Sequence, residues 1–361
     1  MTIFLHIGRG KTGTTSIQTF LEANGPALAE RGIVTPTTLA RRNHRRLTMY
    51  ALNDDVVDNL RRAKRMTTPQ SVQRFRERLA ESFVAEAKTW QPDQAIVMTS
   101  EQMTRLRTAE EIARLKGLLD LAGHGDIRVI VYLRRQDLAQ VSTYSQLVKG
   151  GSSAPFQPAP PGEGTSQLFY DAFLAPWADV FGTRAIVVRP FESCSLKNGD
   201  AIDDFMSVVG LDDLTGLVRP PRGNASLDVY TLEFLRRLNP QLPRWLENNK
   251  QDRSRDALIA VLESISDGPK LRMSPEATER FMAPFRAGNA LVARTYLGQD
   301  ELFREGFSDE PPVEPGLPAE AALRIVRALF TRAIVPALEL DDIISVTARL
   351  WNNSTPPQNP A

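Results

Sequence analysis

Residues 3–18 read Ile-Phe-Leu-His-Ile-Gly-Arg-Gly-Lys-Thr-Gly-Thr-Thr-Ser-Ile-Gln. The apolar run from Ile3 to Ile7 predicts a short buried strand. Gly8, Gly10 and Gly13 predict a tight loop, and Thr14 to about Ala23 a helix. A strand, a glycine-rich loop and a helix start in that order form an anion-binding device. Loop amides and the positive end of the helix converge on one spot, and Lys11 adds a full charge there. The guest this chemistry suits is a phosphate, and the unit predicts an α/β fold.

A loop that wraps a nucleoside triphosphate has the spacing G-x-x-x-x-G-K-[ST]. Gly10-Lys11-Thr12 matches its end, but the first glycine would fall at position 5, which is Leu5. No apolar strand ends in an Asp suited to Mg²⁺. One candidate ends in Thr99-Ser100-Glu101 and another in Arg134-Arg135. A phosphate near Lys11 is expected, and triphosphate hydrolysis is not. Four hydroxyls in five residues (Thr12, Thr14, Thr15 and Ser16) exceed what a plain turn requires.

A second segment, 127–149, carries the β-branched run Val129 to Leu133, the mark of a buried parallel strand, and turns helical from Asp137. Arg134 then stands at the carboxyl end of a strand, where α/β sheets place ligands. Its planar fork suits phosphate.

Together the two segments resemble sulfotransferases that use 3′-phosphoadenosine 5′-phosphosulfate (PAPS). Lys11-Thr12-Gly13-Thr14-Thr15, after His6-Ile7-Gly8, is similar to that family's 5′-phosphosulfate loop. Arg134 and Ser142, eight apart, match its 3′-phosphate motif, although Arg135-Gln136 stands where relatives often carry Asn-Pro. The match covers roughly residues 1–210. It implies a P-loop-like parallel sheet flanked by helices, PAPS as cosubstrate, adenosine 3′,5′-bisphosphate as product, and no metal. The cofactor set it implies is Arg9, Gly10, Lys11, Thr12, Gly13, Thr14, Thr15, Arg134, Ser142 and Arg222, the last from the stretch Arg222-Gly223-Asn224-Ala225-Ser226. Either Arg134 or Arg135 is left to meet the 3′-phosphate, and Asn224 or Ser226 is a candidate helix cap.

Sulfuryl transfer to a hydroxyl needs a base, neutralisation of the leaving phosphate and in-line placement. Lys11 fits the second task. For the first, the resemblance implies a His or Glu some tens of residues after the loop lysine. His44, in Arg41-Arg42-Asn43-His44-Arg45-Arg46, is preferred, and Glu101 is the alternative. His6 reads as structural and His124 as a turn residue. The acceptor is expected to be a small molecule or carbohydrate. Two rival readings are a nucleotide or small-molecule kinase and a non-catalytic phosphonucleotide-binding module.

The 361 residues carry 44 Lys and Arg against 43 Asp and Glu, but unevenly: residues 1–150 hold 23 and 15. The basic half contains both phosphate-binding segments, and its field would steer a polyanion. Clustered arginines from Arg41 to Arg65 read as a solvated surface or as contacts to an anionic acceptor. No nucleic-acid motif accompanies them. One cysteine, Cys194, excludes an internal disulfide and a cysteine-based metal site. The chain runs directly into its first strand and has no apolar run of about eighteen residues, so a cytoplasmic protein without a membrane span is expected.

Further strands are predicted at Ile33-Val34, Ala95–Thr99 and Ala185–Arg189. Helices are predicted at 69–90, 108–122, 137–149, 200–209, 227–238, 254–264, 274–296 and 318–336. Alternation over residues 1–215 predicts the α/β core, and 216–361 a helical extension contributing to an acceptor pocket. The Gly- and Pro-rich stretch 150–166 reads as a lid or as a surface loop.

Overall fold

The computed structural model describes residues 1–123, 125–158, 167–221, 226–242, 253–304, 306 and 316–331. Its centre is a five-stranded, all-parallel sheet of order β2-β3-β1-β4-β5. The strands are β1 (Thr2–His6), β2 (Ile33–Val34), β3 (Ala95–Thr99), β4 (Asp126–Leu133) and β5 (Ile186–Pro190). The helices of the first half are α1 (Thr14–Ala23), α2 (Gly25–Ala29), α3 (Arg45–Ala51), α4 (Asn59–Ala63), α5 (Pro69–Ala87), α6 (Ala109–Asp120) and α7 (Gln136–Lys149). There follow α8 (Tyr170–Phe181), α9 (Ala201–Val209), α10 (Val229–Leu238), α11 (Arg253–Ser264), α12 (Pro275–Met282), α13 (Arg286–Val292) and α14 (Ala319–Thr331). The chain is thus α/β with a helical C-terminal region.

Alternation along the strands sorts residues to two faces. Ile3, Leu5, Ile96, Met98, Val129, Val131 and Leu133 join one apolar core, which α3, α5, α6 and α8 cover with Leu47, Phe83, Leu115 and Trp177. Val97, Ile130 and Tyr132 join the other, covered by Ile17 and Phe20 of α1 and Phe205 and Met206 of α9. Strands buried on both faces are what parallel sheets require. From neighbouring β1 and β4 the chain goes on to strands toward opposite edges of the sheet, β2 after β1 and β5 after β4. The crevice at their carboxyl ends is therefore the topological switch point at which such sheets bind ligands.

The chain divides into two compact units. One comprises Met1–Gln136, Pro160–Gly223 and Met282–Gly306, and the other Asp137–Ala159, Asn224–Phe281 and Phe307–Ala361. They interleave, where the sequence suggests a single boundary near 215. The second unit has its own core of Tyr144, Val148, Leu232, Leu235, Leu258, Leu262 and Ile325. In it, buried Arg255 donates to the carbonyls of Val148, Lys149 and Leu242 and to Asn239 Oδ1. It thereby adds to the bonds at the carboxyl end of α7, where the Val148 carbonyl also accepts from Asn239 and from the Gly151 amide. The cap of α10 is neither Asn224 nor Ser226 but Asp228, which accepts from the amides of Tyr230 and Thr231. No described helix is long and apolar enough to cross a membrane.

Candidate phosphate-binding site

The loop between β1 and α1 is braced from within. The hydroxyls of Thr12 and Thr14 both donate to the carbonyl of Arg9, at 2.8 and 3.1 Å, and both residues are buried. Those hydroxyl protons are thus turned into the loop, leaving exposed Thr15 and half-buried Ser16 at the open side of the helix start. Lys11 and Gly13 have φ of 66° and 74°. At Gly13 a Cβ would also stand 2.7 Å from Ala201, the first residue of α9, so glycine is required there twice over. A Cβ on Gly8 would meet the Thr14 side chain at 2.6 Å, whereas one on Gly10 would meet nothing within 4 Å. Gly13 stands at the N-cap of α1 and supplies no side-chain cap, so the first amides of that helix have no side-chain acceptor from their cap residue.

Across the switch point, Arg134 Nη1 donates to the Lys11 carbonyl at 3.2 Å. Arg135 Nη1 instead donates to the Gly306 carbonyl at 2.7 Å. Of the two arginines the sequence leaves open, Arg134 is thus joined to the loop. Arg9 is buried, its guanidinium 4.9 Å from the ring centres of both Tyr170 and Phe173. Its Nη1 has no hydrogen-bond partner among the described residues. Burial, and to a lesser degree the nearby Arg107, push its pKa below the ordinary arginine value, while Tyr170 opposes that shift. A buried cation on aromatic faces, with no carboxylate partner among the described residues, leaves local positive charge unmatched. The Tyr170 hydroxyl donates to the Arg134 carbonyl, which ties α8 to the carboxyl end of β4.

The candidate bases differ in their surroundings. His44 is buried. Its Nδ1 accepts from the Thr99 amide at 2.8 Å, so Nε2 carries the proton and donates to the Pro36 carbonyl at 3.0 Å. Its own amide donates to the Thr99 carbonyl. Burial pulls its pKa down to about 4. With both nitrogens used, His44 is a strut between its loop and β3, and neither nitrogen is open to an acceptor proton. That departs from the expected base, because the Nδ1 partner, Thr99, lies on a strand distant in sequence. Glu101 opens the short 3₁₀ turn Glu101–Arg105 at the carboxyl end of β3. It is half-buried, and its carboxylate makes no hydrogen bond or ion pair among the described residues. Its neighbour Ser100 caps that turn, accepting from the Gln102 amide, and donates to Asn43.

His6 is buried, with Nδ1 2.9 Å from Thr99 Oγ1, and burial lowers its pKa to about 3. Ser142 lies on α7 within the second unit. Arg222, His124 and residues 159–166 lie outside the described residues. The front of the stretch 150–166 is held within its own unit: Phe156 packs on Tyr144 at 5.0 Å, and the carbonyls of Ser152 and Ser153 accept from Asn239 and Arg236. Among the described residues no three His, Cys, Asp or Glu side chains gather to hold a metal ion. Tyr170 and Phe173 are site residues the sequence reading did not single out. The spacing Tyr170, Phe173, Leu174, Trp177 was the available signal, masked by Pro176 within the same stretch.

Comparison with known proteins adds little. No protein-family profile matches the chain, and no solved structure does. An uncharacterized protein of Archaeoglobus fulgidus is 25% identical over 216 residues, covering 58% of this chain and 55% of that protein. The chain thus spans about half the length of the curated relative it matches.

Proposed function

We propose that the chain is a PAPS-dependent sulfotransferase acting on a hydroxyl, with a carbohydrate as the expected acceptor class. The observation that carries this reading is the short braced loop with its open helix start, joined through the Lys11 carbonyl to Arg134 at the switch point. The loop is too short for the triphosphate spacing, and Arg134 stands where a second phosphate would need a planar fork. In this reading the loop amides, Lys11 and the α1 terminus hold the 5′-phosphate, and Arg134 answers the 3′-phosphate. The acceptor oxygen attacks sulfur, the bond from sulfur to the bridging phosphate oxygen breaks, and the bisphosphate leaves with the electron pair. Glu101 takes the acceptor proton, since the two nitrogens of His44 are occupied. Lys11 and the amides neutralise the charge that grows on the leaving phosphate.

The test is transfer of ³⁵S-sulfate from PAPS to a panel of mono- and disaccharides. Transfer is expected, with Lys11→Ala lowering kcat/KM by about 10³. Glu101→Gln is expected to lower kcat by about 10² to 10⁴ with little change in KM. Phosphoryl transfer from ATP with Mg²⁺, in place of sulfuryl transfer, would replace this reading with a kinase.

A further inference from the structure

A second concentration of positive charge lies apart from the loop. A cleft of about 550 Å³ opens between α3, α5 and the residues after α4. That volume lies within the range of small-molecule pockets, roughly 300–1,000 Å³. Arg45 and Arg46, Lys64 and Arg65, and Arg74 and Arg78 line it, and among the described residues no carboxylate does. No residue of the 7–16 loop, nor Glu101 or Arg134, lines it either.

Arginine runs on a helix surface are ordinarily solvated or paired with acids on the same face. These are not paired. Arg46 donates to the Thr38 carbonyl. The other five side chains make no hydrogen bond or ion pair among the described residues. Six like charges in one concavity repel, and low-dielectric walls focus their field on whatever enters.

The walls are fixed rather than incidental. Arg61 is fully buried and donates to the carbonyls of Met49, Leu52, Asn53 and Val56, which anchors α4 against the end of α3. Arg76 donates to the carbonyls of Tyr50 and Leu52 and pairs with Asp54 at 2.7 Å, which anchors α5 to the same turn. Arg65 itself is held at a left-handed φ of 55°. Arg74 and Arg78 sit one turn apart on α5, so both project to the same side. Apolar side chains share the lining with the cations: Met49, Met66 and Leu79, all buried, and Phe75, with the hydroxyls of Ser71 and Ser82 beside them.

A lining of six cations together with apolar side chains fits a ligand with C–H faces and several strong acids at its edge. We propose that this cleft binds a small ring compound, a sugar or cyclitol, carrying several sulfate or phosphate groups. A single nucleic-acid strand is a poorer match, because such sites interleave basic residues with several aromatic platforms and among the described residues only Phe75 is aromatic here. A bilayer surface is also a poorer match. The site is concave, and none of the exposed large apolar residues (Leu121, Leu147, Val218, Leu291 and Leu323) lines it.

The site does not depend on the sulfotransferase reading. The test is calorimetric titration of the full chain, in 0.15 M salt, with sucrose octasulfate and with inositol hexakisphosphate. At least one is expected to bind one-to-one. Arg74→Ala/Arg78→Ala and, on the opposite wall, Lys64→Ala/Arg65→Ala should each weaken that binding at least tenfold. Melting temperature and the titration with adenosine 3′,5′-bisphosphate should stay unchanged in both. The tighter probe tells sulfated sugar from phosphorylated cyclitol. Failure of both probes to bind, or binding unchanged in both variants, would overturn the proposal. So would tighter binding of a twelve-residue oligothymidylate or of phosphatidylserine vesicles through the same residues. A chain that binds the polyanions but not the bisphosphate would keep this site and remove the function proposed above.

Discussion

Three glycines in the phosphate loop look interchangeable in sequence and differ sharply in place. Gly13 combines a φ of 74° with 2.7 Å from its would-be Cβ to Ala201, whereas Gly10 has open space. Gly13→Ala is expected to lower stability by about 1–3 kcal/mol and Gly10→Ala by under about 0.5 kcal/mol. Urea unfolding of the two variants checks the contrast. His44 makes a second residue-scale prediction. Its folded pKa, about 4, lies below the ordinary 6.5. Between those values the unfolded chain binds the extra proton. The stabilisation is therefore fully present above pH 6.5 and is lost as pH falls toward 4. The loss from this one group is on the order of 3 kcal/mol, and His6, lowered to about 3, adds to it in the same direction. Melting temperature should fall over that window, and His44→Asn should flatten the fall while lowering the melting temperature at pH 8. A strut predicts that folded His44→Asn keeps its pH–rate profile. Loss of the acidic limb of that profile would restore His44 as the base.

At the scale of elements, α8 does more than cover the sheet. Its first turn brings Tyr170 and Phe173 to Arg9, and the Tyr170 hydroxyl to the Arg134 carbonyl. Tyr170→Phe removes the hydrogen bond to the Arg134 carbonyl and is expected to cost about 1 kcal/mol of stability. It should also weaken bisphosphate binding several-fold, because it frees the end of β4; thermal melting and titration measure both. This helix also shows where sequence reading stops. Pro176 and the Gly- and Pro-rich stretch before it hid a helix whose apolar spacing was present. The opposite error occurred at 274–296, predicted as one helix. It is broken by the 3₁₀ turn Ala283–Phe285, where Pro284 cannot donate an amide. The strands were legible because β-branched runs mark buried parallel strands even at the two-residue β2. The helices α3 and α4 were not legible, since an arginine-rich stretch reads as surface. Nothing local says that Arg61 turns inward to four carbonyls while its neighbours stay out.

For the whole molecule, one-dimensional order and three-dimensional grouping part company. Residues 137–149 follow the central sheet in sequence yet group with α10, α11 and α14, and 282–306 returns to the sheet unit. A boundary of that kind depends on which apolar faces meet, and periodicity within each helix carries no such information. The loop's existence and the Arg134 position were readable from residue spacing alone. The occupied nitrogens of His44 and the aromatic bed of Arg9 were not, because each depends on a partner fixed only by the fold; the spent hydroxyls of Thr12 and Thr14 turn on the exact path of the loop itself. Part of the excess of positive charge in residues 1–150 gathers at two places in the sheet unit, the loop with Arg9 and Arg134, and the cleft beside α5.

The central claim is that the loop holds the 5′-phosphate of a nucleotide that also carries a 3′-phosphate. Calorimetric titration with adenosine 3′,5′-bisphosphate, adenosine 5′-monophosphate and ATP with Mg²⁺ addresses it directly. The account predicts that the bisphosphate binds at least tenfold more tightly than the monophosphate, that Arg134→Ala erases this difference, and that Lys11→Ala weakens both. Binding of ATP with Mg²⁺ as tight as or tighter than the bisphosphate, or a bisphosphate isotherm unchanged by Arg134→Ala, would contradict it.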